Sequence, residues 1–293
     1  MNLTNSTDLL FALGACLFAM LLGIGLAKRQ AKAFKGKAQG IYPAVTFADY
    51  GDMRFLHLGS PAVQGSMKIS QPFDIHLEYV QRMMAWMLFV DLDRVHQLRA
   101  MQLGLGAASL TKFCFHHLKM HTTALELNPQ VIETCRTWFN LPENNSKLHV
   151  MQGDAADIAQ LTALKGQIDV LQVDLYDADA MRPVLDTEAF YRDCHALLTP
   201  HGCLVINVFG RNSDVRATIQ KLSLLYSVWA FPPTKAGNSI VLAFAQPCSI
   251  SAEALKANAH VIQARWPLPA SQWLHDELTH VCDTSESWLH KST

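Results

Sequence analysis

The stretch "DVLQVDLYDADA", residues 169–180, begins apolar and ends with three carboxylates, Asp174, Asp177 and Asp179. Acids at the end of a buried strand can hold a cation, align it for attack and take a proton from it. The plainer alternative is a solvated acidic loop, because aspartate favours turns. Two more acids stand at comparable places. The run "TTALELN" brings in Glu126, and "KLHVMQGDA" brings in Asp154 followed by Ala155. Ahead of both, "AMQLGLGAAS" carries Gly104 and Gly106, where the missing side chains allow a tight turn and close approach of a ligand to the backbone. A carboxylate about twenty residues after such a turn can accept both hydroxyl protons of a ribose. An acid followed by a small residue can hold an adenine amino group. Either acid alone could merely begin a helix, where the macrodipole favours negative charge. Taken in order at three strand ends, they read as parts of a nucleoside pocket.

The elements that would position these groups are visible as a repeat. Apolar runs ("AMQLGLG", "TTALEL", "KLHVM", "IDVLQVD", "CLVINVF", "SIVLAFA") alternate with helix-like segments at about 108–118, 129–139, 155–164, 187–198 and 213–225. The alternation predicts an α/β fold: a doubly wound, mostly parallel, Rossmann-like sheet that binds ligands beyond the carboxyl ends of its strands. Upstream, "DMRFLHLGS" and "AVQGSMKIS" predict a β-hairpin, and "LEYVQRMMAWMLFV" predicts a helix with one face on the core. Downstream, two or three helices are expected, anchored by Trp266, Trp273 and Trp288. The division that follows is an apolar segment and basic linker at 1–40, a small β element at 41–75, the Rossmann-like domain at 76–247 and a helical extension at 248–293.

Composition narrows the function classes. With 293 residues, 50% apolar and 17% charged, the chain can bury a large core. A net charge of −1 without a long Lys/Arg run argues against nucleic acid as a partner. The 7 cysteines are scattered without a C-x-x-C, which argues against a zinc ribbon or a disulfide framework. His116, His117 and His121 lack an accompanying acid in metal-ligand spacing and read as helix-end histidines, so no metal is expected.

Residues 9–26, "LLFALGACLFAMLLGIGL", carry no charge and reach the lower limit of about 17 residues for crossing a bilayer. Lys28, Arg29, Lys32, Lys35 and Lys37 follow them. This order would leave the rest of the chain in the cytoplasm, tied to the inner face of a membrane. A helix packed on the domain or on a partner, or a start site placed too early, are the alternatives.

From about residue 45 to 245 the sequence resembles the class I S-adenosylmethionine-dependent transferases, with their seven-stranded type of sheet, and more narrowly the spermidine synthase (polyamine aminopropyltransferase) family. The resemblance is carried by "SPAVQGSM", "EYVQRMMA", the Gly-rich turn, "ALELNPQVIE", "GDAADI", "VDLYDAD" and "FYRDCHALLTPHGCLVINV". It implies that Gly104 and Gly106 pass under the methionine-derived part of the donor, that Glu126 binds the ribose, and that Asp154 with Ala155 meets adenine. Asp174 falls at the family's catalytic aspartate. Asp177, Tyr79 and Gln64 fall at substrate-contacting positions. The co-substrate would be decarboxylated S-adenosylmethionine or S-adenosylmethionine, with no prosthetic group. The other partners would be a small amine and, in assembly, a homodimer.

The departures are as informative as the matches. The family's G-G-G-D-G reads "GLGAA" here, with Ala107 where an aspartate would grip the donor's free amine. Three readings follow: an aminopropyltransferase, favoured by Asp174 and Asp177; a methyltransferase using the intact donor, favoured by Ala107; and a non-catalytic nucleoside-binding homologue.

Overall fold

The computed structural model describes residues 42–176, 185–276 and 278–281. Three antiparallel strands come first: β1 (Val45–Tyr50), β2 (Met53–Leu58) and β3 (Val63–Lys68), in the order β1-β2-β3. The expected hairpin is β2–β3. The additional strand, β1, is "VTFADY", whose mixed burial hides the two-residue alternation that would have marked it.

The main sheet comprises β4 (Arg99–Leu103), β5 (His121–Glu126), β6 (Leu148–Gln152), β7 (Ile168–Val173), β8 (Leu198–Phe209), β9 (Ser227–Ala230), β10 (Asn238–Phe244) and β11 (Thr279–His280). Their spatial order is β11-β9-β10-β8-β7-β4-β5-β6. The five strands from β8 to β6 run parallel, while β10 is antiparallel to both β8 and β9. The chain moves outward from β4 through β5 to β6, then returns to β7 on the other side of β4. The boundary between β4 and β7 is therefore the topological switch, where such sheets open a crevice for ligands.

The central apolar runs form strands covered on both faces, whereas β6, at the sheet edge, alternates buried and exposed residues. β10 is buried along its whole length, which explains its continuous rather than alternating apolar pattern. One face packs Ala100, Val170, Val205 and Leu242 against Phe113, Trp86 and Trp273. The other packs Leu103, Leu171 and Ile206 against Phe190, Tyr191 and Ile219. The helices begin where caps are written in the sequence. Asn128 caps α3 (Pro129–Trp138), Thr187 caps α4 (Glu188–Leu197) and Ser251 caps α6 (Ala252–Arg265). The remaining helices are α1 (Glu78–Arg82), α2 (Ser109–His116), α5 (Asn212–Leu222) and α7 (Ala270–His275).

Two helical expectations need correction. Residues 77–90 form only the short α1, followed by a 3₁₀ turn at Ala85–Phe89. Met83 to Leu88 are buried on every side, so they have no amphipathic period to follow, and the Gln172 side chain donates to the Met83 carbonyl in place of a helical amide. The stretch at 155–164 is likewise two 3₁₀ segments, Ala155–Gln160 and Thr162–Leu164.

The C-terminal helices α6 and α7 pack into the first core, with Trp273 fully buried, and β11 then adds an edge strand. Trp288 lies outside the described residues. So does the expected anchor, the apolar stretch at 9–26; among the described residues no helix is long and apolar enough to cross a membrane.

Candidate active site

The small N-terminal sheet lies over the turn that leaves β4. Val45, Leu56 and Met67 share a core with Leu105, Ala107 and Ala108, and Ser109 at the start of α2 donates its hydroxyl to the Ser66 carbonyl 3.1 Å away. The turn itself requires its glycines. Gly104 has φ +86°, and a Cβ there would sit 2.5 Å from the Asp174 carbonyl oxygen. Gly106 has φ +49°, and a Cβ there would lie 2.8 Å from the Gln64 carbonyl oxygen. Ala108 takes a left-handed φ of 59° with a Cβ present, a strain of the kind that collects at ligand sites.

Between this turn and the strand ends lies a cavity of about 790 Å³. Its walls include Gln64, Tyr79, Gly104, Gly106, Glu126, Asp154, Ala155 and Asp174, so every described residue that the sequence nominated borders one space. Asp177 lies outside the described residues.

At one end, Glu126 reaches back over the Gly-rich turn. Its two carboxylate oxygens accept the N–H groups of Leu105, at 2.9 Å, and Asn128, at 2.8 Å. Burial pushes its carboxyl above the usual range, against the pull of those N–H groups. Glu126 does not begin a helix; Asn128 does, accepting the Gln130 N–H at 3.0 Å while donating to the Pro43 carbonyl at 3.1 Å. Asp154 does act as a cap, accepting the Ala156 N–H at 2.8 Å. A cap uses one oxygen of the carboxylate and leaves the other for a ligand.

At the other end stands Asp174, just past β7. Its Oδ1 accepts from the Asn207 side-chain amide at 2.9 Å, and its Oδ2 accepts from the Tyr79 hydroxyl at 3.3 Å. Burial raises its carboxyl above the ordinary range, with Asn207 and Tyr79 pulling the other way. Tyr79 is itself pushed well up, by burial first and by the Asp174 charge second, so it remains a hydroxyl donor. Tyr176 braces this end by donating to the Asn207 carbonyl and accepting the Phe209 N–H, both at 2.7 Å.

Asn207, Asn238 and Tyr176 were not nominated from the sequence. Asn207 is a lone polar residue inside the buried run "CLVINVF" and Asn238 opens "NSIVLAFA", each a buried amide that must find a partner. That signal was present, but only the sheet order says which partner. Of the three histidines weighed as metal ligands, His116 stacks on Phe73 with 3.8 Å between ring centroids, His117 lies 2.8 Å from Asp74, and His121 opens strand β5 rather than ending a helix. Among the described residues no group of histidines, cysteines and acids is placed to hold a metal.

No protein-family model matches the chain. The polyamine aminopropyltransferase of Chromobacterium violaceum is 32% identical over 237 residues, which cover 80% of this chain and 88% of that protein. Among solved structures, a probable spermidine synthase from Corynebacterium glutamicum superposes with a TM-score of 0.61 at 19% identity, covering 79% of this chain and 86% of that one. Human methyltransferase-like protein 13 in complex with SAH superposes with a TM-score of 0.59 at 20% identity, over 65% and 92% of the two chains. The two structures show the shared fold.

Proposed function

The chain belongs to the polyamine aminopropyltransferase family, and we propose that it moves the aminopropyl group of decarboxylated S-adenosylmethionine onto putrescine or a related amine. The observation that carries this reading is the buried Asp174 carboxylate at the far end of the cavity whose near end offers Glu126 and Asp154 to a nucleoside.

An alkylamine has a pKa near that of lysine, about 10.4, and attacks only when neutral. Asp174 would bind the ammonium, align its nitrogen behind the carbon bonded to sulfur and receive the proton that is lost. As the N–C bond forms, the C–S bond breaks and its electron pair leaves with sulfur, releasing methylthioadenosine. The second ammonium of a diamine would be held by Asp177. At the other end, Glu126 would take the ribose hydroxyls and Asp154 the adenine amine. Gly104 and Gly106 would let the sulfonium side of the donor pass close to the backbone, with Gln64 over it.

One observation favours methyl transfer from the intact donor instead. Ala107 borders the cavity at the Gly-rich turn, so the tail of the donor would meet a small neutral wall there rather than an acid. A neutral wall does not repel a donor carboxylate. Substituting Asp174→Asn in the full chain separates the readings from inertness: turnover with decarboxylated donor and putrescine is expected to fall at least about a hundredfold, the scale of a lost general base, with donor affinity nearly unchanged. Unchanged turnover would remove Asp174 from the chemistry.

A further inference from the structure

We propose that Asn238 is a positioning residue for the transfer: acting through Asn207, it holds Asp174 so that Oδ2, beside the Tyr79 hydroxyl, rather than Oδ1 takes the proton of the acceptor amine. The inference rests on the reading of Asp174 as the base, and it specifies which atom of that base works.

The relay crosses three strand ends. Asn238 is the first residue of β10 and Asn207 lies near the end of β8, brought side by side because β10 runs antiparallel to β8. The Asn238 side-chain amide donates to Asn207 Oδ1 at 3.0 Å, and the Asn207 amide donates to Asp174 Oδ1 at 2.9 Å. Both asparagines are at least nine-tenths buried and both border the cavity. A turn fixes Asn238 in turn: its N–H donates to the Thr234 hydroxyl at 3.1 Å, its carbonyl accepts the Thr234 N–H at 2.8 Å, and the Gly237 N–H closes onto the Thr234 carbonyl at 2.9 Å. The Asn207 backbone is held as well, through the Tyr176 hydroxyl on its carbonyl.

The direction of the donors decides the chemistry. An ionised carboxylate only accepts, so Asn207 must present its NH₂ to Asp174 and its oxygen to Asn238. A proton placed on Oδ1 would face an NH₂ that cannot accept it. Asn207 would then have to turn over, and its NH₂ would meet the NH₂ of Asn238 unless that amide turned too. A proton on Oδ2 meets the Tyr79 oxygen, a hydroxyl that can accept as readily as donate. The relay therefore makes protonation at Oδ1 expensive and leaves Oδ2 to receive the proton as the N–C bond forms. It also opposes the burial that raises the Asp174 carboxyl. Among the described residues, the titratable groups acting on Asp174 are Tyr79 of α1 and Tyr176 after β7, both held neutral by burial and by the Asp174 charge, and no basic side chain pairs with it.

The test is the pH dependence of kcat/KM for the acceptor in full-length Asn238→Ala and Asn238→Asp, with donor Kd measured alongside. Freed of Asn238, Asn207 can turn and accept from a protonated base, so the protonated form is no longer penalised. The acidic limb, where activity falls as the base takes up a proton, is expected to move to higher pH by about one unit in Asn238→Ala. Activity below the limb should drop by roughly tenfold, as for other residues that orient a working group from behind, with donor Kd unchanged. Asn238→Asp is equal in size, cannot donate and adds a like charge, so its limb should move further in the same direction; it also keeps the test open if Asn238→Ala does not fold. A limb that stays in place in both variants, or a loss confined to donor Kd, would overturn the relay. If Asp174→Asn retains turnover in the same assay, the reading of Asp174 fails and the relay with it. If Asp174→Asn is inactive while the Asn238 variants match wild type, the relay alone fails.

Discussion

The two ends of the cavity hold a buried carboxylate in different ways. At the proposed nucleoside end, Glu126 is held by main-chain N–H groups two and twenty-one residues away, on the turns that follow β5 and β4. At the proposed amine end, Asp174 is held by side chains, with Tyr79 95 residues away and Asn207 33 residues away, and behind them Asn238, a further 31 residues from Asn207. Main-chain donors are fixed once the strands pair, so the nucleoside end is rigid and tolerant of side-chain change nearby. Side-chain donors can be replaced one at a time, so the amine end can be retuned for another acceptor without disturbing the fold. On the proposed reading, donor binding would rest on the backbone of the sheet and acceptor chemistry on a set of substitutable groups.

That contrast can be broken from either side. Glu126→Gln puts an amide NH₂ against one of two N–H donors and loses the charge that would accept the ribose hydroxyls. It should weaken donor Kd by about 10- to 100-fold, the worth of charged hydrogen bonds, while turnover at saturating donor is largely kept. Titration calorimetry beside steady-state kinetics checks this, and the pattern should be the reverse of that for Asp174→Asn. A smaller but less selective effect is expected at Gly104, where the two ends touch. A Cβ in Gly104→Ala must push against the Asp174 carbonyl from a φ that alanine disfavours, which should cost roughly 1–3 kcal/mol in a denaturant melt. Both Kd and turnover should worsen together. If only one of them moved, the ends would be more independent than their shared turn implies.

The same contrast explains what could be read from the sequence. The central parallel strands were legible because doubly buried strands are unbroken apolar runs, the edge strand β6 because its apolar residues alternate, and the Gly-rich turn, Glu126 and Asp154 because they sit at fixed offsets from those strands. Residues 83–88 misled because a fully buried segment carries no amphipathic period, and the sheet, through Gln172, replaced the helical bond. β1 was missed for want of alternation, and β11 because two residues carry no pattern at all. Asp174 was found as a strand-end acid, whereas its partners were not: Asn207 and Asn238 are ordinary asparagines until β10 is known to lie antiparallel beside β8.

The most direct measurement is a single turnover of the full chain loaded with decarboxylated S-adenosylmethionine and then mixed with putrescine, with every product identified by mass. The account predicts methylthioadenosine and putrescine enlarged by one aminopropyl group, in equal amounts. A chain that forms neither from this donor, and instead yields S-adenosylhomocysteine and a methylated amine from the intact one, would contradict it.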